Sequence, residues 1–135
     1  MRLRARALIG AAVAATALGA AAVPALGGTQ AKRATTNVTV ADDYFACGKC
    51  SGTVPLNLKV KKNDQVKWLW GDSNVNTHNV KLTSTHPDGV KPKDFTSGNY
   101  AVGATFKKKF TKPGKYAFIC SFHKNVMQIT VNVKK

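Results

Sequence analysis

Residues 110–133 run Phe110-Thr111-Lys112-Pro113-Gly114-Lys115-Tyr116-Ala117-Phe118-Ile119-Cys120-Ser121-Phe122-His123-Lys124-Asn125-Val126-Met127-Gln128-Ile129-Thr130-Val131-Asn132-Val133. Thr111–Gly114 has the composition of a turn, with Pro113 presetting φ and Gly114 able to adopt φ > 0. Beyond it Tyr116, Phe118 and Cys120 recur at every second residue, which places them on one face of a strand. Met127, Ile129, Val131 and Val133 repeat the pattern, and Gln128, Thr130 and Asn132 are assigned to the solvent side. A period of two, not 3.6, sets the fold class.

Upstream the same period recurs. Thr36–Val40 reads as a first strand, and Leu56, Leu58 and Val60 alternate with Asn57 and Lys59. Lys61–Asp64 turns the chain into Gln65–Trp70, where Val66, Trp68 and Trp70 share a face. His78–Leu82 reads as a short strand, and a polar loop with His86, Pro87, Asp88-Gly89 and Pro92 follows. Phe106–Phe110 alternates aromatic residues with lysine. Phe106, Phe110, Tyr116, Phe118, Trp68 and Trp70 are expected in the core. Seven or eight short strands over residues 36–135 predict an all-β Greek-key sandwich.

The 135-residue chain has room for one such domain. Arg2, Arg4 and Arg6 precede an apolar run from Ala7 to Ala22, and small residues with Pro24 follow. This pattern reads as a secretory signal peptide over residues 1–31, with cleavage between 25 and 34. An uncleaved membrane anchor is the alternative, since Ala7–Leu26 is just long enough to span a bilayer. Export to the periplasm or cell surface follows from the first reading. Setting aside the three arginines of residues 1–31 lowers the formal charge from +15 to +12. Such a charge suits an acidic protein partner or an anionic membrane or cell-wall surface. Nucleic acid is excluded as a partner by export, and Arg33 is the only arginine outside the leader.

Three cysteines is an odd number for an exported chain. Cys47-Gly48-Lys49-Cys50 is a local pair whose default in an oxidising compartment is a disulfide. A redox pair or a zinc site is the alternative there, but a strand-to-helix setting and four suitably spaced ligands are missing. Cys120 stands apart, with His123 and Met127 within the next seven residues. Thiolate, imidazole and thioether together select copper over magnesium or calcium, and a blue-copper site takes two His, one Cys and a weak axial Met. His78, in Asn76-Thr77-His78-Asn79-Val80, is the candidate for the second imidazole.

His78-Asn79-Val80, together with Phe110–His123 and Met127 after it, resembles the cupredoxins of the plastocyanin, pseudoazurin and amicyanin branch. The resemblance spans roughly residues 36–135. It implies one copper ion held by His78, Cys120, His123 and Met127, and one-electron transfer between Cu(I) and Cu(II). It also implies that Asn79 hydrogen-bonds across to Ser121, and that the outward edge of His123, bordered by Ser121, Phe122 and Lys124, is the electron's exit. Met127 follows His123 at a spacing that differs from those relatives. A monomer with a transient, acidic redox partner is expected. Copper delivery or storage, without an electron partner, is the alternative function. A copper oxidase or nitrite reductase would need a second copper centre. Ile119 and Ser121, not His, flank Cys120, and three histidines in total cannot build a trinuclear cluster.

Overall fold

The computed structural model describes residues 32–135, so the expected signal segment lies outside the described residues. Nine strands form: β1 (Thr35–Ala41), β2 (Tyr44–Ala46), β3 (Cys50–Ser51), β4 (Leu56–Lys61), β5 (Gln65–Trp70), β6 (Lys81–Leu82), β7 (Thr105–Lys109), β8 (Gly114–Ile119) and β9 (Gln128–Lys134). One 3-10 helix, Pro92–Phe95, interrupts the long connection between β6 and β7. The strands assemble into two sheets, ordered β2-β1-β5-β7 and β3-β4-β9-β8-β6. The chain changes sheet at β2–β3, β4–β5, β5–β6, β6–β7 and β7–β8, giving the sandwich that the alternation predicts. The strands beyond the expected count are β2 and β3, which are too short to show a period.

Two pairings place the functional segments. β1 runs parallel to β5, so the turn after Ala41 and the segment after Trp70 emerge at the same end. β8 and β9 are antiparallel neighbours, and the loop that joins them, residues 120–127, lies at the end where β8 finishes and β9 starts. At the opposite end the turn before β5 is held by Asp64. Its carboxylate accepts from the Ala34 and Lys61 amides at 3.0 and 2.9 Å, and Asn63 takes a left-handed φ of 76°.

The inward faces are those the sequence marks. Val38, Val40, Leu58, Val66, Trp68, Trp70, Tyr116, Phe118, Ile129, Val131 and Val133 are all buried. Trp68 packs its ring 5.1 Å from Phe118 and 5.6 Å from Phe106. Large apolar side chains of this kind contribute about 1.5–3 kcal/mol each through burial. Tyr116 is buried, and its hydroxyl donates to the Lys112 carbonyl at 2.9 Å, pinning the preceding turn. Burial raises the Tyr116 phenol above its ordinary pKa. Gly114 adopts φ 137°, the left-handed excursion expected of that turn, and a Cβ there would meet Pro87 Cγ at 2.7 Å.

Three local expectations change. The anticipated strand His78–Leu82 shrinks to β6, with His78 in an isolated bridge to Tyr100. Its backbone pairs with the β6–β7 connection instead of a sheet strand: Val80 N donates to Ser97 Oγ and Val80 O accepts from Ser97 N, both at 2.8 Å. Thr130, assigned to the solvent side, is only 4 % exposed, because β9 sits between β4 and β8 in the middle of its sheet. The polar connection also donates to the core. Phe95 places its ring 5.4 Å from Phe110 and 5.6 Å from Tyr116. A single apolar residue in a polar stretch has no period to betray it.

Candidate metal centre

Each candidate ligand reaches the centre by a different local device. Cys120 follows directly on β8, in phase with Tyr116 and Phe118, so the alternation that buries those rings also buries its sulfur. The loop then folds back on itself. His123 N donates to Cys120 O at 3.2 Å, Met127 N to His123 O at 2.9 Å, and Cys120 N to Met127 O at 3.0 Å. Cys120, His123 and Met127 are thereby bound into one short backbone unit. His78 is fixed from outside that unit. Its amide donates to Tyr100 O at 2.8 Å, its carbonyl accepts from Tyr100 N at 3.0 Å, and Trp70 Nε1 donates to the same carbonyl at 3.2 Å.

The result is a convergence of donors from segments 42 residues apart. Cys120 Sγ stands 3.9 Å from His78 Nδ1 and 3.7 Å from His123 Nδ1. The three donor atoms all lie within 4.8 Å of one another. Cys120, His78 and Met127 are fully buried, whereas the His123 side chain keeps 25 % of its surface exposed. His86 is not in this group; its Nδ1 faces the Pro87 carbonyl at 3.1 Å.

Asn79 ties the two segments together. Its Oδ1 accepts from the Ser121 amide at 2.8 Å, and its Nδ2 donates to Ser121 Oγ at 2.7 Å and to Asn99 Oδ1 at 3.0 Å. On the other side of the centre lies the turn between β1 and β2. Asp42 Oδ1 is 2.9 Å from His78 Nε2, and the Asp42 carboxylate also accepts from the Val75 and Asn76 amides at 2.8 and 3.0 Å. The His78 hydrogen bond, then those two amides, push the Asp42 carboxyl down to about 2. Asp43 Oδ1 lies 3.2 Å from His123 Nε2. The Asp42 carboxylate on His78 Nε2 fixes the proton there and leaves the Nδ1 lone pair facing the sulfur, the tautomer a metal requires, whereas Asp43 and His123 make a close contact without a hydrogen bond.

The spacing can be tested against a metal. With metal–sulfur near 2.3 Å and metal–nitrogen near 2.0 Å, donors spread trigonally around one ion stand about 3.7 Å apart. The observed 3.9 and 3.7 Å match that separation. A buried cysteine sulfur with two imidazoles, and a buried Met127 on the same backbone unit as that sulfur, is a soft set suited to copper. The sequence pattern of the copper binding proteins, plastocyanin/azurin family, matches residues 53–134.

The chain belongs to the plastocyanin/azurin family. Copper is the cofactor of this plastocyanin/azurin-type domain. Among solved structures, an amicyanin variant in its reduced state is 22 % identical with a TM-score of 0.54, over 74 % of this chain and 82 % of that one. Another amicyanin variant, in its reduced Cu(I) form at pH 4, is 19 % identical with a TM-score of 0.55, over 78 % and 87 %. A copper-containing nitrite reductase from Thermus scotoductus SA-01 is 21 % identical with a TM-score of 0.59, over 89 % of this chain but only 25 % of that one. These are likenesses of fold. No curated protein sequence matches this chain.

Cys47 and Cys50 form a disulfide, with Cα atoms 5.3 Å apart, and Cys120 is free. The residues around the centre that sequence reasoning missed are Asp42, Asp43, Tyr100 and Trp70. Nothing in Ala41-Asp42-Asp43-Tyr44 distinguishes an ordinary turn from one that reaches two histidines. Among the described residues no helix is long and apolar enough to cross a membrane.

Proposed function

We propose that this chain is an exported, monomeric type 1 (blue) copper protein that carries single electrons between redox partners, with His78, Cys120, His123 and Met127 as its ligands. The observation that carries the reading is the placement of a fully buried Cys120 sulfur 3.9 and 3.7 Å from two imidazole nitrogens. Bound copper supplies the one-electron couple. The chain's own residues do the rest. The 120–127 backbone unit and the Asn79 bridge hold the donors at nearly fixed positions, so little rearrangement opposes a change of oxidation state. Burial of Cys120, His78 and Met127 keeps water off the sulfur. The exposed edge of His123, with half-exposed Phe122 and Val126 on the same loop, supports this pole as the electron's exit.

The excess of lysine supports an acidic partner reached by charge steering, so association should slow as ionic strength rises; a salt-independent rate would remove that element. A 460 Å³ groove in which Lys32, Lys49, Lys59, Lys61, Lys134 and Lys135 outnumber the single carboxylate of Asp64 supports contact with an anionic membrane or cell-wall surface. The seven-residue strand β9 separates that groove from Met127 by about 20 Å, leaving the metal pole free. The deciding experiment adds Cu(II) to the purified protein and records visible and electron paramagnetic resonance spectra. Intense copper–thiolate colour with narrow hyperfine splitting, abolished in Cys120→Ala, is expected. A colourless protein that passes Cu(I) to an acceptor would instead establish copper delivery.

A further inference from the structure

The β1–β2 connection is two residues long, and both are aspartates that reach the centre. Asp42 Oδ1 stands 2.9 Å from His78 Nε2 and Asp43 Oδ1 stands 3.2 Å from His123 Nε2. The two imidazoles come from segments with no covalent proximity, His78 beyond β5 and His123 beyond β8, and their ring centroids are 4.9 Å apart. One turn therefore sets a carboxylate behind each ring, at the nitrogen opposite the one that faces Cys120, hydrogen-bonded to His78 and in close contact only with His123. The turn is itself built for this. Asp43 adopts a left-handed φ of 62°, which aspartate tolerates better than most residues. Asp42 is braced by the Val75 and Asn76 amides, which also lock the approach to His78.

We propose that Asp42 and Asp43 form a two-carboxylate clamp that positions both copper-ligating imidazoles, with Asp43 closing over the outward edge of His123. The inference rests on the assignment of His78 and His123 as ligands. The two arms differ in strength. Asp42 is 28 % exposed and held by three partners, so it sets the His78 ring rigidly. Asp43 is 59 % exposed and contributes little as a bare ion pair, so its effect is on the orientation of His123 rather than on stability. Both are positioning residues: neither has an atom among the converging donors.

The test uses Asp42→Ala, Asp43→Ala and the corresponding Asn variants of the full chain. Nitrogen-15 NMR of the metal-free protein reads the imidazole tautomers directly. In the parent, the His78 Nε2–H proton should exchange slowly, and that of the partly exposed His123, without a hydrogen bond, should exchange fast. Asp42→Ala should abolish this protection at His78, and Asp43→Ala should leave it intact. Titration with Cu(II) should show about a 10–100-fold loss of affinity for Asp42→Ala, the usual consequence of removing the partner of a ligating histidine. A smaller loss is expected for Asp43→Ala, with altered hyperfine splitting. Asn retains an acceptor oxygen without the charge, so the Asn variants should recover the tautomer and most of the affinity. Should Asp42→Ala fail to fold, Asp42→Asn and the Asp43 pair still decide. Unchanged His78 Nε2–H exchange in Asp42→Ala, or unchanged copper affinity and hyperfine splitting in Asp43→Ala, would overturn the clamp. A parent protein that never develops copper–thiolate colour would instead overturn the ligand assignment, and the tautomer measurement would still stand for the clamp.

Discussion

Asn79→Ala removes a side chain that bridges the His78 and Cys120 segments, and the size of its effect can be worked from the contacts. Three hydrogen bonds disappear together: Ser121 N to Oδ1 at 2.8 Å, Nδ2 to Ser121 Oγ at 2.7 Å and Nδ2 to Asn99 Oδ1 at 3.0 Å. Each is worth about 1 kcal/mol net, and the bond to Asn99 least, because Asn99 is exposed and water replaces it. The expected loss is about 2–3 kcal/mol for the metal-free protein, which for a domain of this size lowers Tm by roughly 10–20 °C. Ser121→Ala is the control, since it deletes one of the three bonds and should cost about 1 kcal/mol. Because the two substitutions share the Nδ2–Oγ bond, the double variant should fall short of additivity by about 1 kcal/mol. Urea unfolding followed by circular dichroism measures these energies, and the copper-loaded spectrum reports whether the donors still converge. A loss below about 0.5 kcal/mol with an unaltered spectrum would refute the view that Asn79 holds the two segments in register.

Met127→Leu conserves volume in the core and should cost less than about 1.5 kcal/mol. It removes the thioether, so the copper colour should persist with a raised reduction potential; voltammetry that detects no shift would reduce Met127 to a packing residue. The Asp42 carboxyl sits at about 2 against an ordinary 3.8. A depressed carboxylate stabilises the fold above its ordinary pKa and loses that contribution as pH falls from near 3.8 through about 2, so thermal melts should steepen in that window. Asp42→Asn should flatten the pH dependence there, and identical slopes for the two proteins would contradict it. Opening the Cys47–Cys50 link with paired serines should cost about 2 kcal/mol, the chain-entropy value for so short a loop. The copper spectrum should survive that change, because neither sulfur belongs to the donor cluster.

Much of the sandwich was open to reading because its core strands alternate strictly. Val66, Trp68 and Trp70 in β5, and Tyr116 and Phe118 in β8, bury one face and declare it in the order of residues. Cys120, His123 and Met127 were legible for a related reason: they share one loop, and their chemistry is compressed into eight residues. His78, 42 residues from Cys120, was a candidate only by its place at the start of an expected strand, and the family resemblance added to that reading. Asp42, Asp43, Tyr100 and Phe95 were beyond reach. Each acts through partners at least fifteen residues away in the chain, and none stands in a periodic or motif-like setting.

Local order alone determined which faces turn inward, where Gly114 and Asn63 bend the chain, and that sulfur and imidazole donors would meet near the end of β8. Those properties arise from steric and hydrophobic preferences of neighbouring residues, which act over a few positions. Tertiary structure alone decided which end each loop occupies. The parallel pairing of β1 with β5 brought Asp42 and Asp43 beside His78, and the bridge to Tyr100 set that histidine against the sulfur. Such placements depend on which strands become neighbours, a choice made by the summed burial of the whole sandwich and written in no single segment.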